Sequence, residues 1–217
     1  YQKRLVVTAN GENILHFYYT RDSEHAYYKI THYTQNTDGK TWTVYAESQV
    51  KGDIDTTYTA EAMTIPGFTY IESPENPLPE SPARASGKLT ADGLTLNLYY
   101  VRNSYPYQVR YLEQGTGNVL ASAKDGKGLY GTIVSESAID IEGYDKVDPT
   151  TVSISIRIET NEEAKLNIIT FYYTEKKVEI KYEAVGPAGV DFGSVDPTSE
   201  TVKLKNGTAA GSTPTAK

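Results

Sequence analysis

The sequence reads KGDIDTTYTAEAMTIPGF at residues 51–68 and KGLYGTIVSESAIDIEGY at residues 127–144. At a constant offset of 127 − 51 = 76 residues the two stretches align without a gap, and both end in isoleucine, one variable residue, glycine and an aromatic residue. The segments in front of them also match, YKITH at 28–32 and YQVRY at 107–111. Similar segments in the same order indicate a tandem repeat, which governs the whole architecture.

The closing strand of each repeat is recognisable too. It reads FYYT at 17–20, LYYV at 98–101 and FYYT at 171–174. The predicted organisation is therefore the tail of a preceding module at 1–22, complete modules at 27–103 and 105–176, and the start of a further, truncated or different module at 177–217. Because the links between modules are too short for free tumbling, we expect an elongated, semi-rigid rod.

Alternation of apolar and polar side chains predicts mostly β structure. A period of two runs through residues 94–98 and again through 152–158, as expected of half-buried strands. Residues 73–88, SPENPLPESPARASGK, predict a proline-rich loop with little regular structure. The only helix candidates are short, at 57–63 and 134–139, and either could instead be strand.

The composition of the 217 residues narrows the classes of function. A formal net charge of −7 argues against nucleic acid as a partner, because phosphate contacts need clustered lysine and arginine. No apolar run is long enough to cross a bilayer, so we expect no membrane insertion in this stretch. The absence of cysteine removes disulfides and thiol nucleophiles. The 19 tyrosines favour strands whose rings pack at one edge and reach water at the other.

Residues suited to catalysis are few. The three histidines all fall in the first part of the chain, and no nucleophile, base and orienting group share a recognisable motif. The acidic pairs Asp53/Asp55 and Glu162/Glu163 are interpreted as solvated turn charges, because a glycosidase pair must face across a cleft. We therefore predict no catalytic residue, no cofactor and no metal, and hence no enzyme.

Repeated tyrosines are the main candidates for a binding surface. Tyr18, Tyr99 and Tyr172 hold equivalent positions in the closing strands, and alternation places each on the face opposite its preceding residue. One interpretation is a repeated aromatic platform for sugar rings or a protein, since tyrosine gives rigid amphipathic contact area. The other is that this face packs beneath a short helix or loop, or supports a module junction. Trp42 and Tyr130 are weaker candidates.

The repeated pattern resembles the MucBP repeat, the mucin-binding-protein repeat of Gram-positive surface adhesins. The resemblance lies in the Lys-Gly pair, the I-x-G-[FY] motif and the closing [FL]-Y-Y strand, over two full units and part of another. It implies small β-grasp-like modules in tandem on an extracellular, cell-wall-attached bacterial protein. Two features depart from the family pattern, the proline-rich loop at 73–88 and the closing fragment 177–217.

The function that this resemblance implies is that of a non-catalytic adhesin segment. Such a segment would bind host mucin glycans or glycoproteins, weakly through each module and more strongly through several modules together. One alternative is a structural stalk that presents a distal binding head, which the short links also suit. Another is a host-protein binder, for example of immunoglobulin, that uses a strand edge or the proline-rich loop.

Overall fold

The computed structural model describes residues 9, 11, 14, 16–18, 23–160, 165–188, 193–204 and 207–217. Within these ranges there is no helix, so the predicted mostly-β class is confirmed. The two helix candidates contain strands, Thr57–Thr59 and Ile133–Ser137, because β-branched and aromatic side chains pack well on a pleated surface. The predicted tail at 1–22 lies for the most part outside the described residues, and the pair Glu162/Glu163 lies wholly outside them.

The strands of the described residues are, in chain order, β1 His25–Gln35, β2 Trp42–Asp53, β3 Thr57–Thr59, β4 Phe68–Ile71, β5 Ser86–Lys88, β6 Leu94–Arg102, β7 Ser104–Glu113, β8 Val119–Leu129, β9 Ile133–Ser137, β10 Tyr144–Lys146, β11 Thr151–Ser155, β12 Ile168–Glu175, β13 Lys177–Lys181, β14 Val195–Asp196, β15 Ser199–Lys203 and β16 Thr215–Ala216. The chain divides into two compact units. The first unit comprises Tyr1–Gln35, Thr41–Met63 and Tyr70–Tyr100, and the second unit comprises Asn36–Lys40, Thr64–Thr69 and Val101–Lys217.

Two four-stranded sheets share one strand order. The first sheet runs β2-β1-β6-β4 and the second sheet runs β8-β7-β12-β10. In each, the first strand of the module pairs antiparallel with the next strand and parallel with the closing strand. A parallel pair needs a long crossover, which the chain between β2 and β6, or between β8 and β12, supplies. The common order reproduces in three dimensions the tandem repeat expected from the sequence.

The second sheet buries one face in an apolar core. Its buried members come from β7, from β12 and from the residues that follow β9 and β11. They are Tyr107, Val109, Tyr111, Ala138, Ile156, Ile169, Phe171 and Tyr173. The two-stranded sheet of β9 and β11 covers this core with Val134, Val152 and Ile154. A helix would cover this side of a β-grasp module, so the β-grasp-like detail stays a prediction.

In the first sheet the closing strand is buried on both faces. Five consecutive residues of β6, from Leu96 to Tyr100, are buried, although alternation sends their side chains to opposite sides. On one side Tyr58 of β3 stacks on Tyr28 of β1, with 4.4 Å between ring centroids. The Tyr100 hydroxyl on that side accepts the Met63 backbone N–H at 2.9 Å. The other side lies under the proline-rich loop, as described below.

A glycine turn occurs at the same place in both repeats. Gly67 and Gly143 have φ of 81° and 79°, a left-handed conformation that a residue with a Cβ adopts only with strain. The aromatic residue after each glycine donates its N–H to the isoleucine carbonyl, Phe68 to Ile65 at 3.0 Å and Tyr144 to Ile141 at 3.1 Å. The I-x-G-[FY] motif is thus the sequence signature of this turn.

The closing fragment forms part of the second unit. Within it β13 pairs with β15 and β14 with β16. The link residue Lys176 donates its N–H to the Gly143 carbonyl at 2.8 Å and accepts the Leu204 N–H at 2.9 Å. The Lys203 ammonium also pairs with the Glu175 carboxylate. The fragment is therefore hydrogen-bonded to the link residue, which in turn is hydrogen-bonded to the glycine turn of the module before it.

Candidate binding face

One row of side chains crosses the second sheet on the side away from its core. Tyr172 of β12 is the register partner of Leu112 of β7, and Leu112 is the partner of Val119 of β8. Tyr172 is 45% exposed and Val119 is 73% exposed, with Leu112 half-buried between them. We call these three residues the open row. It presents an aromatic ring and two aliphatic side chains to solvent on a flat sheet face.

The surroundings of the open row are polar. Arg110, two residues before Leu112 on the same side of β7, is exposed and donates from Nε to Gln108 Oε1 at 2.7 Å. Gln108 in turn donates from Nε2 to Asp125 Oδ1 at 2.9 Å. At the hairpin after β7, hydrogen bonds from Thr116 and Asn118 lower the pKa of the Glu113 carboxyl. A small apolar strip with charged and amide groups beside it suits an amphipathic ligand.

The first sheet has the same row, but a loop covers it. Tyr99 is the register partner of Tyr33, and Tyr33 is the partner of Val44. We call Tyr99, Tyr33 and Val44 the covered row, of which the two tyrosines are buried and Val44, at the edge, is 48% exposed. The Tyr33 and Tyr99 rings stack with 4.9 Å between centroids, and the Trp42 ring meets Tyr99 edge-on at 4.8 Å. Both rows lie at a register shift. The pairing of β7 with β8 shifts between Tyr111 and Leu112, and the pairing of β1 with β2 shifts between His32 and Tyr33.

The cover is the proline-rich loop, held largely through its backbone. The Tyr99 hydroxyl donates to the Ser81 carbonyl at 2.6 Å and accepts the Leu78 N–H at 3.2 Å. Trp42 Nε1 donates to the Asn76 carbonyl at 2.6 Å. Asn97 Nδ2 donates to the Pro82 carbonyl at 3.1 Å, and the Tyr33 hydroxyl bonds the Ser81 side chain at 3.2 Å. Burial under the loop raises the pKa of Tyr99.

The three equivalent tyrosines therefore differ in exposure. Tyr99 is 0% exposed, whereas Tyr18 is 85% and Tyr172 is 45% exposed. The expectation of a repeated exposed ring is wrong for Tyr99, because a fourteen-residue connection, 72–85, lies over it. The second interpretation, packing beneath a loop, describes Tyr99 correctly. Tyr18 and Tyr172 stay predictions as ligand-binding residues.

The two weaker candidates contact other parts of the chain. Trp42 is half-buried and its indole N–H is bonded to the loop. The Tyr130 ring packs edge-on against Phe68, with 5.8 Å between centroids. A Cβ at Gly67 would lie 2.2 Å from Tyr130 Cδ1, so the absence of a side chain at Gly67 makes room for this ring. Both rings serve packing in this structure, and a ligand role for either stays a prediction.

A polar cleft of about 350 Å³ lies at the other end of the proline-rich loop. Its lining is mostly polar and comprises Glu80, Pro82, Arg84, Asp92, Gly93, Leu94, Thr95 and Asn97. Arg84 and Asn97 exchange both backbone hydrogen bonds, at 3.0 and 2.8 Å, and so fix the loop to β6 here. Sequence reasoning missed this cleft because no motif marks such a backbone pairing between separate segments of the chain.

The described residues contain no group of three or more histidine, cysteine, aspartate or glutamate side chains placed to hold a metal ion. His32 is buried and its Nδ1 lies 2.8 Å from the Tyr100 hydroxyl. Burial lowers the His32 pKa, so the ring is neutral at pH 7 and serves the packing of the sheet. No helix among those residues has the length and apolarity to span a membrane.

Two sheets of one strand order, each with the same glycine turn, define a protein built from tandem β modules. The family model of the MucBP domain matches residues 12–101 and 107–205. The chain thus belongs to the MucBP domain family, with two tandem copies, and the resemblance drawn from the sequence is confirmed.

A relative of known name is internalin J of Listeria monocytogenes serotype 4b (strain F2365), 26% identical over 168 residues. The match covers 76% of this chain but only 16% of internalin J. Family and relative together indicate an adhesin-type repeat of a Gram-positive surface protein. Repeats of this family are typically non-catalytic.

Solved structures give weaker likenesses. The Bacillus anthracis TIE protein has a TM-score of 0.43 and 12% identity, over 86% of this chain and 42% of that protein. The type 2 repeat of the mucus binding protein MUB from Lactobacillus reuteri has a TM-score of 0.25 and 12% identity, over 68% and 99%. Mub-RV has a TM-score of 0.25 and 8% identity, over 69% and 98%.

Proposed function

We propose that this chain is a non-catalytic adhesin segment that binds host mucin-type glycoproteins through the open face of the second sheet. The observation that carries the proposal is the open row, an exposed tyrosine beside two exposed or half-exposed aliphatic side chains. Tyrosine offers rigid amphipathic area that suits both sugar rings and polypeptide. Membership of a mucin-binding family supports the class of partner.

Affinity for each module is expected to be weak. The open row is three residues long, far smaller than the surface of a standard stable complex. When one module is bound, the other modules of the chain are held close to the ligand at a high effective concentration. The chain as a whole therefore binds more strongly than one module does. Attachment to the cell wall, through parts of the protein beyond this chain, belongs to the same proposal.

The test is binding to immobilised intact mucin, enzymatically deglycosylated mucin and pooled immunoglobulin, with the chain displayed multivalently. We expect binding to intact mucin that falls about tenfold in Tyr172→Ser, because the exposed ring supplies much of the contact area. The matched control is Tyr45→Ser, since Tyr45 is 52% exposed and belongs to the first unit rather than to the open row. Absence of binding to any mucin, or an equal loss in both variants, contradicts the proposal.

The remaining arms of the panel separate the kinds of partner. Loss of binding after deglycosylation assigns the contact to glycans, and retained binding assigns it to the polypeptide. Binding to immunoglobulin alone favours the host-protein alternative.

A second candidate function is a stalk that presents a distal binding head. It is favoured by the link between β12 and β13, where Lys176 is hydrogen-bonded on both sides. The predicted rod belongs to this candidate, and small-angle X-ray scattering tests it. An elongated particle together with no mucin binding favours the stalk, whereas mucin binding lost in Tyr172→Ser favours the adhesin.

A further inference from the structure

The proline-rich loop of the first unit is bound to its own sheet like a ligand. Residues 74–82 contain four prolines and no strand, and they lie over Tyr99 and Tyr33 of the covered row. Four of the hydrogen bonds that hold them use loop backbone groups, at Asn76, Leu78, Ser81 and Pro82. Prolines lack the N–H that could pair such carbonyls within the loop, so outside donors can bond them. Leu78 and Ser81 also close a turn of the loop, because the Ser81 N–H donates to the Leu78 carbonyl at 2.9 Å. The face therefore bonds the backbone of a turned, proline-rich segment more than particular side chains.

The second unit has a face of the same register without the loop, and of the side chains that bond the loop it keeps the closing-strand tyrosine, Tyr172. In the first module 72–85 connect β4 to β5, whereas in the second module only 147–150 connect β10 to β11. Four residues span at most about 14 Å when extended, which leaves nothing to fold back over a sheet. The open row keeps the position of the covered row, with Tyr172 where Tyr99 stands and Leu112 where Tyr33 stands.

We propose that the open row binds, in trans, a proline-rich segment of another polypeptide, as the covered row binds the loop in cis. The inference rests on the proposed binding role and names the part of the glycoprotein that this face contacts. The Tyr172 ring and the Leu112 and Val119 side chains would pack against pyrrolidine rings, and the Tyr172 hydroxyl would bond a backbone carbonyl. Aromatic-lined grooves recognise proline-rich segments in this way because those segments lose little entropy on binding.

The loop of a second copy is a poorer occupant. In each copy that loop is already bound to its own sheet by hydrogen bonds from Tyr99, Trp42, Asn97 and Tyr33. Releasing it would leave two buried rings exposed. An unfolded proline-rich stretch of a partner carries no such cost.

The experiment uses the whole chain, labelled with ¹⁵N, and a synthetic peptide of residues 73–84, SPENPLPESPAR. We expect amide shift changes at and beside Tyr172, Leu112 and Val119, with a dissociation constant on the order of 0.1–1 mM for so small a contact. A control peptide with every proline replaced by alanine should bind at least about fivefold more weakly, because a chain without proline loses more conformational freedom on binding.

Two variants localise the contact. Tyr172→Ser should weaken peptide binding about tenfold, and Val119→Lys about threefold, by removing apolar contact area. Val119 is 73% exposed, so this second change leaves the fold intact. Tyr45→Ser, the matched control, should bind as the unchanged chain does.

Three results would overturn the inference: no shift changes, changes confined to other faces, or equal binding of the alanine peptide. Shift changes that grow with peptide concentration and spread over both units, together with a doubled molecular mass, would indicate self-association of the chain instead. Mucin binding that persists while the peptide fails rejects this inference alone. Peptide binding without mucin binding rejects the proposed function alone.

Discussion

Replacing Tyr99 with phenylalanine tests whether the proline-rich loop is a structural cover. The change keeps the ring and removes the hydroxyl that donates to Ser81 and accepts from Leu78. Each hydrogen bond contributes about 1 kcal/mol net, and a backbone group left buried without a partner adds to the loss. We expect the free energy of unfolding of the first unit to fall by about 2 kcal/mol.

Urea denaturation measures the loss through the single tryptophan, Trp42, whose ring lies edge-on to Tyr99 at 4.8 Å. With a slope of about 2 kcal/mol per molar, the urea midpoint falls by about 1 M. Amide hydrogen exchange at Leu78 should also become faster. The matched control is Tyr172→Phe at the equivalent exposed position, which should change the midpoint by less than about 0.25 M.

The same variant has an expected pH signature. Burial raises the Tyr99 pKa, so the folded unit holds this proton more tightly than the unfolded chain does. The resulting stability is complete below the unfolded pKa and is lost as the pH rises towards the folded value. Alkaline sensitivity should be weaker in Tyr99→Phe. The role of the loop as a structural cover would be refuted if the urea midpoint, the amide exchange at Leu78 and the alkaline sensitivity were all unchanged.

Other predictions concern the second unit. Gly67→Ala should destabilise it by at least about 1 kcal/mol, because a left-handed φ disfavours alanine and the new Cβ meets the Tyr130 ring; thermal melting measures this, and an unchanged melting temperature contradicts it. Hydrogen bonds from Lys124 and Tyr107 lower the Glu136 pKa, so this carboxylate stabilises the fold above its unfolded pKa and the effect disappears as the pH falls. Glu136→Gln should therefore reduce the difference in urea midpoint between pH 7 and pH 3. The control is Glu179→Gln, at an exposed residue of β13, which should leave that difference unchanged.

Local patterns predicted the modular organisation well. The I-x-G-[FY] motif marks a turn in which only glycine adopts the backbone angle easily, so its recurrence at Gly67 and Gly143 is visible in the letters. Alternation through 94–98 predicted a strand, and β6 covers this stretch. The short helix candidates at 57–63 and 134–139 were ambiguous because their length suits either state, and the β-sheet partners β5 and β11 resolved them as strand.

The binding face required more than local pattern. Alternation correctly assigns Tyr99 and Tyr172 to the side opposite the preceding residue, but it carries no information on what covers that side. Exposure depends on where residues 72–85 lie, and their hydrogen bonds to Tyr99 and Trp42 join positions far apart in the chain. Leu112 and Val119 drew no attention in the sequence because their alignment with Tyr172 depends on strand register.

Residue types and short motifs are enough to predict membership of a tandem β family, the absence of thiol chemistry and the acidic balance. None of these properties depends on contacts between distant segments. The distinction between a covered and an open tyrosine row arises from packing between distant segments. The sequence of a loop rich in proline and serine does not indicate which face of the sheet it will cover. Its hydrogen bonds to three aromatic side chains determine its position, and they exist only once the sheet has formed.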